Sequence, residues 1–183
     1  MTRPSILIAE TPRLVLRHFD PSDTADLRPI LAAAEVMRFS VSGPLDATAV
    51  GTWFTRIADS YALYGFGHWA VVRRNDERLL GFCGLSMQTL DDGKQVEIGY
   101  RLAHDVWGHG YGTEAATAVR DYAFREVGLE RLIAIIDPAN VASLRIAAKL
   151  GMSHDRDTMY FGRQVHVFAC RRDGEVGTKG TER

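Results

Sequence analysis

The chain has 183 residues, of which 46% are hydrophobic and 25% charged, and its formal net charge is −1. This balance fits an ordinary globular core. No apolar run approaches the ~20 residues of a membrane span, and no cluster of Lys and Arg marks a nucleic-acid binder driven by phosphate neutralisation. The two cysteines, Cys83 and Cys170, stand far apart in apolar runs and read as buried free thiols without metal-ligand spacing. The N-terminal apolar run, residues 6–9, is too short for a secretory signal, so a cytoplasmic location is expected.

Residues 13–17, R-L-V-L-R, alternate as a strand does. Asp20 followed by Pro21 is a helix-start signal, an N-cap with Pro at the first helical position, and Leu27, Ile30 and Leu31 share one face of the helix that follows. Gly43 and Pro44 mark a loop over 40–46. A second helix is expected to about Tyr64, with Val50, Phe54, Ile57 and Tyr61 as its apolar row and Gly65 as its end. Strands at 69–73 and 79–87 flank Asn75-Asp76, and a turn at Asp91-Asp92-Gly93 leads into a third strand at 95–102, together an antiparallel meander. Gly108, Gly110 and Gly112 then precede a helix expected from Thr113 to Val127, with Ala116, Val119, Ala123 and Val127 facing inward and Gly128 as its stop. The unbroken apolar run 132–136 suits a strand buried on both faces. Residues 140–150 read as a fourth helix, and two last strands near 158–161 and 165–171 meet at Gly162-Arg163.

The order is β-α-α-β-β-β-α-β-α-β-β, an α+β domain of three-layer αβα type over residues 1–172, with about seven strands in a mixed, mostly antiparallel sheet and about four helices. Residues 173–183 carry almost no apolar content and read as a flexible tail.

The stretch 96–115, V-E-I-G-Y-R-L-A-H-D-V-W-G-H-G-Y-G-T-E-A, organises the rest. A strand that runs into a glycine-spaced loop opening a helix gathers backbone N–H groups and adds the helix dipole, a cradle for an anion. The N–H groups of His109, Tyr111 and Thr113 suit a diphosphate. As a bare pattern, a tight loop whose glycines permit close packing is the competing reading. A P-loop is set aside because no G-K-[ST] follows, and a dinucleotide fold because there is no G-x-G-x-x-G in a βαβ unit. Glu97 shares a strand face with Gln95, Gly99 and Arg101, a polar set that fits a wet cleft; a carboxylate paired with Arg101 or another cation is the structural alternative.

The segment E-I-G-Y-R-L followed by W-G-H-G-Y-G-T-E-A resembles the acetyl-CoA-binding motif of the GNAT N-acetyltransferase superfamily, closest to the branch with ribosomal-protein N-acetyltransferases of RimJ/RimL type. T-P-R-L-V-L-R at 11–17, G-H-W-A-V at 67–71 and N-V-A-S-L-R-I-A-A-K-L-G-M from Asn140 also match, so the resemblance spans about residues 11–171. It implies acetyl-CoA as co-substrate, no metal, and direct acetyl transfer in a ternary complex to a primary amine, either a protein or peptide N-terminus or a small-molecule amine. It implies a pyrophosphate loop over Trp107, Gly108, His109, Gly110, Tyr111, Gly112 and Thr113, and a strand end at Tyr100, Arg101 and Leu102 whose backbone pairs with the pantetheine arm. Trp107 departs from the many members with Arg or Gln there, which removes a side-chain phosphate contact.

Glu97 matches the strand glutamate that is the general base in some members. An alkyl ammonium with a pKa near ~10 needs such a base before it attacks a thioester. Asn140 and Ser143 match a cofactor-contacting Asn and a position placed to protonate the leaving thiolate, although N-x-x-S also suits a plain helix start. The rival reading is a domain of the same fold that binds acyl-CoA without turnover. Membrane and nucleic-acid partners are not expected, and a homodimer is left open. Acceptor choice is assigned to segments 36–45 and 159–164.

Overall fold

The computed structural model describes residues 6–172; the tail expected at 173–183 lies outside the described residues, as do residues 1–5. In chain order the strands are β1 (Leu7–Glu10), β2 (Leu14–Arg17), β3 (His68–Arg73), β4 (Leu79–Leu90), β5 (Gly93–Leu102), β6 (Arg131–Ile136), β7 (Ser153–Tyr160) and β8 (Arg163–Arg171). The helices are α1 (Asp23–Ala32), α2 (Ala34–Met37), α3 (Ala47–Tyr64), α4 (Tyr111–Arg125) and α5 (Val141–Lys149). All eight strands form one sheet in the order β1-β2-β3-β4-β5-β6-β8-β7. Every neighbouring pair is antiparallel except β5 with β6, whose crossover carries α4.

This is the mixed α+β fold expected from the pattern, with one strand and one helix more. Both additions are four residues long, β1 at the sheet edge and α2 directly after α1. Elements of that length carry too few repeats for a periodicity to register.

Several boundaries differ from expectation: β4 runs on to Leu90, β5 begins at Gly93 and α4 stops at Arg125, short of Val127. α1 begins at Asp23 rather than at Asp20-Pro21, because Asp20 makes a local turn instead: its Oδ1 accepts from the Ser22 N–H at 2.9 Å and the Ser22 hydroxyl at 2.6 Å. The buried Asp23 carboxylate then pairs with Arg17 at 2.7 Å. α4 begins at Tyr111, two residues before Thr113, with Gly110 in the left-handed region as its cap. β7 begins at Ser153 because its first residues, S-H-D-R-D-T, are polar on both faces and give no apolar alternation to read. Its hairpin turns at Phe161-Gly162, with φ of 48° and 76°, rather than at Gly162-Arg163. Positive φ at both central residues matches the right-handed twist of the strands.

The sheet's central strands put Leu14, Leu16, Trp69, Val71, Leu85 and Leu132 into the main core, all essentially without exposure. α4 covers it with Ala115, Ala116, Val119 and Ala123, small residues that let the helix lie close to β4 and β5. A smaller cluster of Leu90, Ile133 and Val167 holds the β6–β8 end. Cys83 is buried and Cys170 partly buried, both as free thiols. Among the described residues no helix is long and apolar enough to cross a membrane.

Candidate active site

β5 is the axis of the site. It pairs with β4 along its whole length, but with β6 only at Glu97 opposite Ile133, while β6 turns its other edge to β8 over six positions. Beyond Glu97 the two parallel strands diverge, and residues 98–102 keep an edge with no strand partner among the described residues. Two carbonyls of this segment are met by side chains instead: the Arg101 guanidinium donates to Tyr100 O at 2.7 Å and the Trp107 indole donates to Leu102 O at 2.9 Å. Trp107 therefore braces the strand-to-loop junction, a role its departure from the family pattern did not suggest.

The loop that follows divides its three glycines between two tasks. Gly108 and Gly110 have φ of 79° and 83°, which a side chain would oppose, whereas a Cβ on Gly112 would sit 3.1 Å from Ile146 Cδ1 and so press on α5. Close packing, the competing reading, accounts for Gly112, while Gly108 and Gly110 serve the turn through their φ. Among the described residues no side chain caps α4, so the N–H groups of Tyr111, Gly112 and Thr113 at its first turn are left to other acceptors. Exposed His109 bonds through Nδ1 to Trp107 O at 2.9 Å and turns its own carbonyl to Arg13. An uncapped helix start of this kind, next to an unpaired strand edge, fits the pyrophosphate and amide arm of a CoA thioester.

Arg13 is a component that sequence reading missed. From β2's approach it donates to His109 O at 2.9 Å and to Glu114 at 2.6 Å, and its guanidinium lies 4.5 Å above the Tyr111 ring. Thr11 donates to the same Glu114 carboxylate at 2.6 Å. Burial opposes ionisation of Glu114, but these bonds outweigh it and hold the carboxyl below its ordinary value. The T-P-R-L-V-L-R motif and the glycine loop are thus one hydrogen-bonded unit.

Glu97 is partly buried and is not neutralised by Arg101. Its carboxylate accepts from Gln88 Nε2 at 2.7 Å and Ser86 Oγ at 3.3 Å, both neutral donors. Burial raises its pKa; the Gln88 bond, the charge of Arg101 and weaker contacts oppose that shift without cancelling it. Gln88 accepts in turn from the Tyr160 hydroxyl at 2.8 Å. The two segments expected to choose the acceptor meet on this side, where Arg163 donates to Ser40 O at 3.5 Å.

A wall of rings stands beside Glu97. His68 lies in register with Gly84 and Gly99, on Glu97's face of the sheet, and its Nε2 is 3.5 Å from where a Gly99 Cβ would be. Its ring centroid is 4.6 Å from Phe82 and 5.9 Å from Trp53. Burial, helped by the charge of Arg101, pushes the His68 pKa down to about 3, so the imidazole is neutral; its Nδ1 is buried with no partner among the described residues. The motif G-H-W-A-V marked this position without assigning it a task.

Tyr100 leaves β5 on the opposite face, towards α5. Burial pushes its phenol up to about 12, with the nearby Ser143 side chain opposing the shift. Asn140 caps α5, its Oδ1 accepting from Ser143 N at 3.2 Å, so the plain helix-start reading holds. Glu97 and the Tyr100–Ser143 pair flank the open edge of β5 from its two sides.

Comparison with known proteins shows the family and the fold. The family model for the acetyltransferase (GNAT) domain matches residues 13–153. The uncharacterized protein YkkB of Bacillus subtilis (strain 168) is 32% identical over 158 residues, covering 86% of this chain and 92% of its own. The uncharacterized N-acetyltransferase YoaA of the same organism is 28% identical over 159 residues, covering 84% and 88%. Among solved structures, RimL, the ribosomal L7/L12 alpha-N-protein acetyltransferase, in complex with coenzyme A superposes with a TM-score of 0.76 at 17% identity, over 92% of this chain and 99% of that one.

Proposed function

The chain belongs to the GNAT acetyltransferase family, and on that premise we propose that it transfers the acetyl group of acetyl-CoA to a primary amine by direct attack in a ternary complex. The observation that carries this reading is a carboxylate held only by neutral donors, with a raised pKa, beside the unpaired edge of β5.

The pyrophosphate is held by the first-turn N–H groups of α4 with the loop from Trp107 to Gly110, and the pantetheine arm lies along Tyr100, Arg101 and Leu102, near Asn140. Bound there, the co-substrate supplies a thioester. Glu97 takes a proton from the acceptor ammonium, directly or through water, and its raised pKa brings it nearer to neutrality, where a base works best. Backbone N–H groups steady the tetrahedral oxyanion as the amine nitrogen bonds to the carbonyl carbon. Ser143, whose side chain lies near the Tyr100 phenol, delivers a proton to the thiolate as the C–S bond breaks. The acceptor enters between segments 36–45 and 159–164, against the Trp53–His68–Phe82 wall. The fold similarity to RimL favours a peptide N-terminus, with small amines as the second acceptor class.

Thiol release from acetyl-CoA across a panel of peptide N-termini, polyamines, aminoglycosides and amino-acid analogues tests the reading. Release with at least one amine is expected. CoA binding with no release on any amine would instead mark a non-catalytic acyl-CoA-binding domain.

A further inference from the structure

On the β7–β8 hairpin, His154, Asp157 and His166 each turn a ligand atom to a common point, all within 4.8 Å of one another. Asp157 Oδ1 is 2.7 Å from His154 Nε2 and 2.6 Å from His166 Nδ1. Asp157 and His166 are direct register partners, so strand pairing fixes two of the three. His154 stands three residues before Asp157, a spacing that in a regular strand sends side chains to opposite faces. The register shift between His154 and Arg156 turns it back onto the face of the other two.

The surroundings leave this trio to itself. Arg156 is engaged by Asp92 and Asp155, and Arg131 by Asp155, so among the described residues Asp157 is paired with the two imidazoles alone. Phe168 backs the cluster, its ring centroid 5.6 Å from His154 and 6.4 Å from His166, an apolar flank on one side. The other side is open, with His154 and Asp157 each about half exposed. Alternation sends Val165 and Val167 into the core and His166 outward, away from the face on which Tyr160 reaches Gln88.

Two imidazoles and one carboxylate are a donor set for divalent ions of the zinc class, with bonds of about 2.0–2.2 Å. Calcium and magnesium prefer all-oxygen shells. We propose that His154, Asp157 and His166 bind one divalent transition ion of this class, its remaining positions open to water or to a further ligand. Binding exchanges the two imidazole–carboxylate hydrogen bonds for metal bonds, with each ring turning its lone pair to the ion and carrying its proton on the other nitrogen.

Tag-free, metal-stripped full-length protein titrated with zinc chloride, with uptake counted by equilibrium dialysis, should take up one ion per chain. His154→Ala, Asp157→Asn and His166→Ala should each weaken that uptake by at least about tenfold, the scale already set by losing a mere supporting residue. His104→Ala should leave it unchanged. Cobalt(II) in place of zinc should give a visible ligand-field band that His166→Ala abolishes, and circular dichroism confirms that each variant folds. Uptake that persists in the triple variant, or none in the wild type, overturns the site. Neither result bears on acetyl transfer, because Glu97 takes no part in it.

Discussion

At the scale of single residues, the site depends on which charges are kept and which suppressed. His68 is the clearest case. Its folded pKa of about 3 lies below the ordinary imidazole value of 6.5, so the unfolded chain takes up the proton first. Stability is therefore full above pH 6.5 and lost as pH falls from there towards 3. Urea denaturation between pH 6.5 and about 4.5 should show a loss of about 2 kcal/mol that His68→Gln largely removes. Arg13 acts differently, bracing the loop through His109 O and Glu114 while itself half exposed. Arg13→Ala should weaken CoA binding in calorimetry by about fivefold, ~1 kcal/mol, with kcat at saturating acetyl-CoA unchanged. Arg13→Lys should not recover it, since one ammonium cannot reproduce the planar fork. The face that Glu97 takes on β5 was legible from strand alternation. Arg13 and His68 were not, because their tasks lie in contacts across the fold, Arg13 bonding to a loop 96 residues away.

At the scale of elements, legibility followed periodicity and failed where the backbone alone decides. The inward row of α4 was readable from its 3.6-residue repeat, but its start was misplaced because Gly110 ends the loop through its φ and offers no capping side chain. β7 was half hidden because polar residues line both its faces. The cap of α5 was readable, and it can be weighed. Asn140→Ala removes the acceptor for Ser143 N and should cost about 1 kcal/mol in thermal or denaturant unfolding, whereas Asn140→Ser should retain most of it. A fall in CoA affinity common to both variants would separate a cofactor contact from the cap.

At the scale of the whole molecule, the class of fold was written in element order, while the strand order was not. Nothing local states that β8 lies between β6 and β7, or that β5 and β6 meet at one register position and then part. That parting leaves an edge, unpaired among the described residues, between Glu97 on one face and Tyr100 on the other, the edge that the proposed transfer uses. The main core beneath keeps those strands in place; Leu85, 1% exposed on β4, is part of it. Leu85→Ala should lower stability by about 2–5 kcal/mol in denaturant titration.

The most direct measurement compares wild type with Glu97→Gln in thiol release from acetyl-CoA, using an amine that the wild type accepts, alongside CoA affinity by calorimetry. Removing the base should lower kcat by about a hundredfold or more while CoA affinity stays within a factor of about two. Undiminished turnover in Glu97→Gln would contradict the assignment of the base, and with it the proposed route of transfer.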